Sequence, residues 1–201
     1  NNTSNNGGAF VWRGTDGNIN ISSTTFANNH GMVHASALQN DGSNNIFNVI
    51  NSTFSGNVST GVGSAVLNAG NNNQFKFGYN TFIKNIGSGA VFKSFSTVPW
   101  NNSVLENSIF TENLGGDCGL VSSVNFTKTN NLSSDGTCGQ FSATGIVATI
   151  AFNGSGVVGT HALLVGSNAI DHAVTDSAFV AIPCPQTDER SMVRPLDGNA
   201  D

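Results

Sequence analysis

The chain has 201 residues and a formal net charge of −5 at pH 7, and charged residues make up only 9% of it, against roughly 25% in ordinary soluble proteins. It contains no basic run, so neither nucleic acid nor an anionic membrane surface is an expected partner. No apolar stretch reaches the roughly 18 residues that indicate a membrane-spanning helix, so no transmembrane segment is predicted.

Residues 1–18 combine a polar lead-in with a short apolar stretch, Gly7-Gly8-Ala9-Phe10-Val11-Trp12. The pair Ala9-Phe10 returns further along the chain as Ala37-Leu38 and, at the same spacing, as Ala65-Val66. We interpret the first stretch as an incomplete first coil of a repeat, because the end units of repeat proteins are atypical.

A phenylalanine recurs at a constant interval and is followed each time, three positions later, by an asparagine. The phenylalanines are Phe26, Phe54, Phe82 and Phe110, and the asparagines are Asn29, Asn57, Asn85 and Asn113. A fixed period of this length, about 28 residues, is typical of solenoids. We therefore expect a core ladder of stacked phenylalanines and a corner ladder of asparagines. The alternative is a coincidence in a chain rich in Phe and Asn, which would require several columns to keep one register by chance.

The units favour strands over helices. They are rich in Gly, Asn, Ser and Thr, which are poor helix formers, and apolar residues alternate in runs such as Phe75-Lys76-Phe77, the period-two pattern of a strand. The predicted fold class is all-β, a right-handed parallel β-helix (β-solenoid) with about 28 residues per coil and roughly six coils. Residues 1–140 would form the repeat region, and residues 141–201 the C-terminal coils and cap of the same continuous domain.

The residue before each phenylalanine should point outward, because side chains alternate along a strand. That predicts an external row of Thr25, Thr53, Thr81 and Ile109. A flat threonine row also suggests ice binding, but β-propensity alone supplies one short row broken by isoleucine. On the next corner, Lys84 and Glu112 should form a surface ion pair. The loop that carries Trp100 should be exposed.

The cysteines Cys118 and Cys138 are separated by about one shortened coil. Stacking would bring them within bonding reach, so we predict a disulfide. Two buried thiols are the alternative. Cys184 has no evident partner in the sequence.

Chemistry on a β-helix needs several charged side chains on one exposed face. The densest group here is Glu106, Glu112 and Asp117, with Lys84 and Lys93 about one coil away, and we interpret it as a solvated face. The histidines, His30, His34, His161 and His172, have no Cys or His partner at metal-ligand spacing. Asp171 and Arg190 are expected to pair structurally. We predict no catalytic residue, no cofactor and no metal site.

Several motifs carry a family resemblance. The Ser/Asn-Thr-Phe-x-x-Asn and Gly-x-Ala-Val units resemble the right-handed parallel β-helix repeats of bacterial surface proteins, including the polymorphic outer-membrane type. Residues 131–138, 160–171 and 184–195 resemble the choice-of-anchor Q domain at the end of such β-helices. The resemblance implies an exported, surface-associated β-helix followed in precursors by an anchoring signal, and it implies no activity.

These observations predict a non-catalytic structural or adhesive protein, extracellular or on the cell surface, that associates with copies of itself end to end or by strand addition into a filament. Cell-surface glycans are further expected partners. The alternatives are a polysaccharide lyase or hydrolase and a carbohydrate-binding module. Export and glycosylation are also suggested by nine N-x-S/T sequons, at Asn1, Asn2, Asn20, Asn51, Asn57, Asn101, Asn125, Asn131 and Asn153.

Overall fold

The computed structural model describes residues 1–5, 7–94, 102–119, 126–139, 142–146, 149–153, 158–174 and 181–194. Across these ranges the chain forms short strands and contains no helix, and so no described segment is a helix that could cross a membrane. Trp100 and the loop predicted around it lie outside the described residues, as do the sequons at Asn101 and Asn125.

The strands, in chain order, are β1 (Thr3–Ser4), β2 (Phe10–Trp12), β3 (Asn18–Ser22), β4 (Thr25–Ala27), β5 (His30–Gly31), β6 (Leu38–Asn40), β7 (Ile46–Ile50), β8 (Thr53–Ser55), β9 (Val58–Ser59), β10 (Val66–Asn68), β11 (Gln74–Gly78), β12 (Thr81–Ile83), β13 (Phe92–Ser94), β14 (Ser103–Glu106), β15 (Ile109–Thr111), β16 (Cys118–Gly119), β17 (Phe126–Thr129) and β18 (Leu132–Ser133).

These strands stack into parallel sheets in which each neighbour belongs to the next coil. Three sheets have five strands each: sheet B is β2-β6-β10-β13-β16, sheet C is β3-β7-β11-β14-β17, and sheet D is β4-β8-β12-β15-β18. A shorter sheet A is β1-β5-β9. Phe47 pairs with Ile19 on one side and with Phe75 on the other, which is the spacing of the repeat. The chain is a parallel β-solenoid of about four turns with a coil of about 28 residues, as the repeat predicts.

The number of coils was predicted too high. In the described part of the chain no strand follows β18, so the solenoid has about four turns rather than six. The last coil is already short, because Ile109 pairs with Leu132 before a full period is complete, and Ser133 stands opposite Phe110. With no aromatic side chain left to stack on Phe110, this core column ends. Beyond β18, residues 159–174 and 181–187 bond to the side of the solenoid, and residues 142–153 bond to residues 160–168.

The third coil carries a further core ring in sheet B. Phe92 pairs with Val66, and its ring enters the core, where it meets the Phe77 ring edge-on with centroids 4.7 Å apart. Burial of a full aromatic ring explains why this register is preferred.

The core contains a column of phenylalanine rings. Successive centroids in the order Phe26, Phe54, Phe82 and Phe110 are 4.9, 4.6 and 4.5 Å apart, with the rings nearly parallel. All but Phe26, which lies in the first coil, are fully buried. Each pair adds about 0.5 to 1.5 kcal/mol beyond the burial of its area, so a constant step along the sequence places the same favourable contact in every coil.

A buried asparagine ladder closes the corner that follows sheet D. The side chain of Asn57 accepts a bond from the backbone N–H of Asn29 at 3.1 Å, and its Nδ2 donates to Asn85 Oδ1 at 2.9 Å and to the carbonyl of Phe26 at 2.9 Å. Asn85 and Asn113 continue the same pattern. A corner leaves backbone groups that no strand pairs, and burying them unpaired would cost free energy. One amide per coil satisfies them.

Candidate functional site

The C-terminal segment lies along the outside of the solenoid. We call residues 158–174 and 181–194 the strap. Thr25 Oγ1 donates to the carbonyl of Gly159 at 2.8 Å, Asn51 Nδ2 donates to the carbonyl of Thr187 at 3.0 Å, and Asn107 Nδ2 donates to the carbonyl of Val174 at 2.9 Å. The strap therefore lies over the predicted threonine row, where Thr53 is only 1% exposed and Thr25 and Thr81 stay partly exposed. A partly covered row is not the flat, open threonine surface that ice binding needs.

Glu106, one of the carboxylates that the sequence singled out, holds the strap. It is buried and accepts bonds from the backbone N–H groups of Ala181, at 3.0 Å, and of Ile182. Burial raises the pKa of Glu106, although the two backbone bonds oppose that shift. Ile182 packs against Gly78, where an added Cβ would come within 2.8 Å of its side chain. Glu106 therefore keeps the strap in place rather than facing a substrate.

The other two carboxylates of that group do not join Glu106. Glu112 lies 3.7 Å from Lys84 in the surface ion pair that the sequence predicted, and exposed pairs of this kind contribute at most about 1 kcal/mol. Asp117 is buried at the end of the core. The three carboxylates therefore do not form the expected cluster. Each lies in a different part of the fold and has a different structural role.

Asp117 belongs to a polar plug, made of Asp117, Ser133, Asp135 and Thr137, that closes the last coil. Its Oδ2 accepts a bond from Ser133 Oγ at 2.8 Å, and its backbone N–H donates to Asp135 Oδ2 at 2.9 Å. Burial raises the pKa of Asp117. Burial also opposes ionisation of Asp135, but the hydrogen bonds led by those from Thr137 outweigh it and lower its pKa to about 2.

The predicted disulfide between Cys118 and Cys138 is present beside this plug, with the two Cα atoms 5.1 Å apart. Cys184 is a free thiol. The disulfide joins strand β16 to the loop after β18, so it fixes the last coil to the plug that covers it.

A cleft of about 450 Å³ lies between the strap and sheet D, within the usual range for small-molecule sites. Its floor is the outward column Thr53, Thr81 and Ile109. Charged and polar side chains of the strap and of the preceding corner form its walls, among them Tyr79, His161, Asp171, Asp188, Glu189, Arg190 and Arg194. It is the candidate functional site.

Glu189 forms hydrogen bonds with two neighbouring coils at this cleft. Its Oε2 accepts a bond from Thr53 Oγ1 at 2.5 Å, and its Oε1 accepts one from Thr25 Oγ1 at 3.1 Å. Burial raises the pKa of Glu189 to about 7, although the two threonines oppose the shift. The carboxyl group is therefore half protonated near neutral pH.

We expect Glu189→Gln to stabilise the protein at high pH. Because the folded pKa is raised from 4.5 to about 7, wild type loses stability relative to a neutral side chain as the pH rises through this window, and above it the loss is constant. We expect the variant to gain roughly 2 kcal/mol at pH 8, after allowance for partial exposure, and almost nothing at pH 4. Urea unfolding at several pH values measures the difference.

The control for that experiment is Glu112→Gln, which removes the exposed carboxylate that pairs with Lys84. A pH-dependent gain of the same size in the control would attribute the effect to general charge rather than to the half-buried position of Glu189. A gain that is absent in both variants would contradict the placement of Glu189.

Tyr79 has a left-handed backbone conformation, with φ of 57°. It occupies the corner between sheets C and D, where the equivalent residues Ser23, Asn51, Asn107 and Asn130 are also left-handed. Asn tolerates this region, whereas a bulky side chain is an outlier there. The ring lies under Arg194, with the guanidinium carbon 5.5 Å from the ring centroid. Burial, followed by the neighbouring Cys184, raises the Tyr79 pKa to about 12, so the phenol stays protonated.

The histidines do not gather into a metal site. His161 Nε2 lies 2.9 Å from Ser55 Oγ at the cleft, His172 has its pKa lowered by burial, and His30 lies in β5 of sheet A. Within the described ranges, no three His, Cys, Asp or Glu side chains come close enough together to hold a metal ion.

Arg190 forms an ion pair with Asp188, a partner that the sequence did not suggest. Asp188 lies two positions away in the same turn and also accepts the Arg190 backbone N–H at 2.8 Å. The pairing of Arg190 with Asp171 stays a prediction.

Sequence reasoning missed the residues that define the cleft, namely Glu189, Tyr79 and Arg194. One signal was available for Tyr79, because it stands one period from both Asn51 and Asn107 and is the only tyrosine in the chain. Nothing in the repeat indicates that the strap would return to this corner, so Glu189 and Arg194 could not be placed beside it.

Comparisons with known proteins return no match, since no family model, no curated protein and no solved structure matches this chain. The fold therefore defines a class, the parallel β-solenoid, and function must be argued from the geometry of the site.

Proposed function

We propose that this chain is a non-catalytic structural or adhesive protein of the cell surface or extracellular space. In the proposal it is a right-handed parallel β-helix of the bacterial surface type, and residues 131–138, 160–171 and 184–195 belong to a choice-of-anchor Q-like region. The observation that carries the proposal is the structural use of its acidic side chains. Glu106, Asp117, Asp135 and Glu189 all accept hydrogen bonds from the fold itself. Their carboxylates hold parts of the chain together.

The disulfide supports an exported location, because such bonds persist in oxidising compartments. Only some of the sequons support an exported, glycosylated protein. Asn51, Asn57 and Asn131 are buried, and their side-chain amides bond within the fold. A glycan on Asn57 or Asn131 would break the asparagine network, so any glycosylation would use exposed positions such as Asn20.

One observation favours the sugar-processing alternative, namely the raised pKa of Glu189 at the cleft. Glycosidases pair such an acid with a second carboxylate across the scissile bond. The neighbouring Asp188 already bonds Arg190 and the backbone N–H of Met192, so it is not available for that role. Glu189 itself is bonded to two threonines of the solenoid.

A polysaccharide panel tests the proposal. We expect retention of the protein on one or more glycan surfaces and no turnover of any soluble polysaccharide, measured by reducing-end and unsaturated-product assays over a range of pH. Turnover that is lost in Glu189→Gln and kept in Glu112→Gln would replace the structural proposal by the enzymatic one.

Assembly into a filament is a second candidate, supported by the edge of the first coil. Strands β2, β3 and β4 are the outer members of their sheets, and Ile19 and Phe26 are 8% exposed whereas the core phenylalanines of the middle coils are fully buried. Unpaired strand edges template the addition of another strand. Sedimentation velocity should show a concentration-dependent series of larger species, and a single monomer at all concentrations would contradict assembly.

A further inference from the structure

The backbone conformation of Tyr79 indicates that its ring has a role beyond forming the corner between sheets C and D. Holding a non-glycine residue in the left-handed region costs of the order of 1 to 3 kcal/mol. The corner does not require the ring, because Asn51 and Asn107 take the equivalent positions with φ of 57° and 48°. The strap contacts the tip of the side chain, where the Tyr79 hydroxyl donates to the carbonyl of Val174 at 3.5 Å. Strain of this kind is concentrated at functional sites. Here it places a phenol ring in the cleft, against the Arg194 guanidinium.

Two polar groups of the cleft have unused hydrogen-bonding capacity. Arg194 Nη2 donates to Asn51 Oδ1 at 3.1 Å, and its other N–H groups have no acceptor among the described residues. The Thr81 hydroxyl, on the cleft floor between Thr53 and Ile109, likewise has no partner in the part of the chain that the structure describes. Both groups can therefore bond a ligand without breaking a contact of the fold.

The charges of the cleft nearly balance. Asp188 and Arg190 neutralise each other, and Glu189 is bonded to Thr25 and Thr53. Arg194 and Asp171, which also line the cleft, have opposite charges. A strongly anionic ligand would meet carboxylates and a strongly cationic one would meet guanidinium groups, so a neutral ligand fits best.

The cleft also offers apolar surface beside these polar groups. Leu163 and Ile170 line it and stay 40% and 45% exposed, and Ile109 forms part of its floor. A neutral ligand that combines an apolar face with an edge of donors and acceptors matches this lining. Sugar rings have that character, with a C–H face and a hydroxyl edge.

We propose that the cleft between the strap and sheet D binds a neutral saccharide, with the Tyr79 and Ile109 side chains against its C–H face and Arg194 and Thr81 bonding its hydroxyls. This inference rests on the adhesive function proposed above and places that function in one site. Binding requires no chemical step.

The test is titration of the intact chain with neutral oligosaccharides of glucose, galactose, mannose and N-acetylglucosamine, with glucuronate and galacturonate oligosaccharides as an acidic arm. Calorimetry measures affinity, and NMR shift changes of strap amides report the site. We expect saturable binding of a neutral member. Tighter binding of the acidic arm would overturn the neutral class, and no binding by any member would overturn the site.

Two variants test whether the saccharide binds in the cleft or elsewhere on the surface. Tyr79→Asn installs the residue found at the equivalent corners, so the fold should be kept while affinity falls at least tenfold. Thr81→Val removes only the unused hydroxyl, and we expect a fivefold or greater loss with the strap still docked. The control is Thr127→Val, an exposed threonine on sheet C. Affinity unchanged in both cleft variants would place binding elsewhere and overturn the inference.

Failure of this inference and failure of the adhesive proposal have different results. If Tyr79→Asn and Thr81→Val keep full retention on a glycan surface, adhesion stands and the cleft assignment falls. If the wild-type chain is retained on no surface and binds no saccharide, the adhesive function itself falls.

Discussion

Replacing Phe82 by alanine is expected to destabilise the protein by about 3 to 5 kcal/mol. The ring is fully buried and stacks between Phe54 and Phe110, with centroids 4.6 and 4.5 Å away. Its removal leaves a cavity in the middle of a column whose other members are fixed by backbone pairing, so the coils cannot close the space. Urea unfolding followed by circular dichroism measures the loss.

A matched phenylalanine serves as the control. Phe152 is 74% exposed, so Phe152→Ala should change the unfolding free energy by no more than about 0.5 kcal/mol. A loss for Phe82→Ala no larger than the loss for Phe152→Ala would contradict the stacked column.

The second large effect is expected for the disulfide. Replacing both Cys118 and Cys138 by alanine should cost about 3 kcal/mol, because the bond closes a loop between positions with a sequence separation of 20 and restricts the unfolded chain. The loss should be accompanied by faster amide exchange in β16 and β18, since the bond joins the last coil to the polar plug.

Treatment with a reductant distinguishes the loss of this disulfide from a general effect of replacing the cysteines. Wild type and Cys184→Ala should both lose stability in dithiothreitol, whereas the double variant should not respond. A wild-type protein whose unfolding midpoint is the same with and without reductant would contradict the bond, and mass analysis of the unreduced chain would then show free thiols at both positions.

The constant register of the repeat was sufficient to predict most of the solenoid, because parallel coils place like residues directly above one another. Phe54 lies opposite Phe26 and Phe82 in the pairing of β8 with β4 and β12. The asparagines that follow these phenylalanines form the buried ladder for the same reason. Each coil interacts mainly with its neighbours, so a local pattern determines the contact.

The later part of the chain could not be predicted in this way. Its path depends on single contacts, such as Glu106 with Ala181 and Glu189 with Thr53, each joining residues far apart in the sequence. No period predicts such contacts. Glu106 therefore resembled a surface group in the sequence, whereas the strap lies over it and bonds its carboxylate. The same strap carries Glu189 to the solenoid and creates the cleft.

The most direct test of the central claim, a parallel solenoid whose coils follow the sequence repeat, is a map of inter-strand proton contacts by NMR on labelled protein. The structure predicts contacts that join Phe47 with Phe75 and Val49 with Phe77, so that both numbers increase in the same direction along β7 and β11. Contacts in which one number rises while the other falls, between strands adjacent in the sequence such as β7 and β8, would instead show antiparallel hairpins and contradict the solenoid.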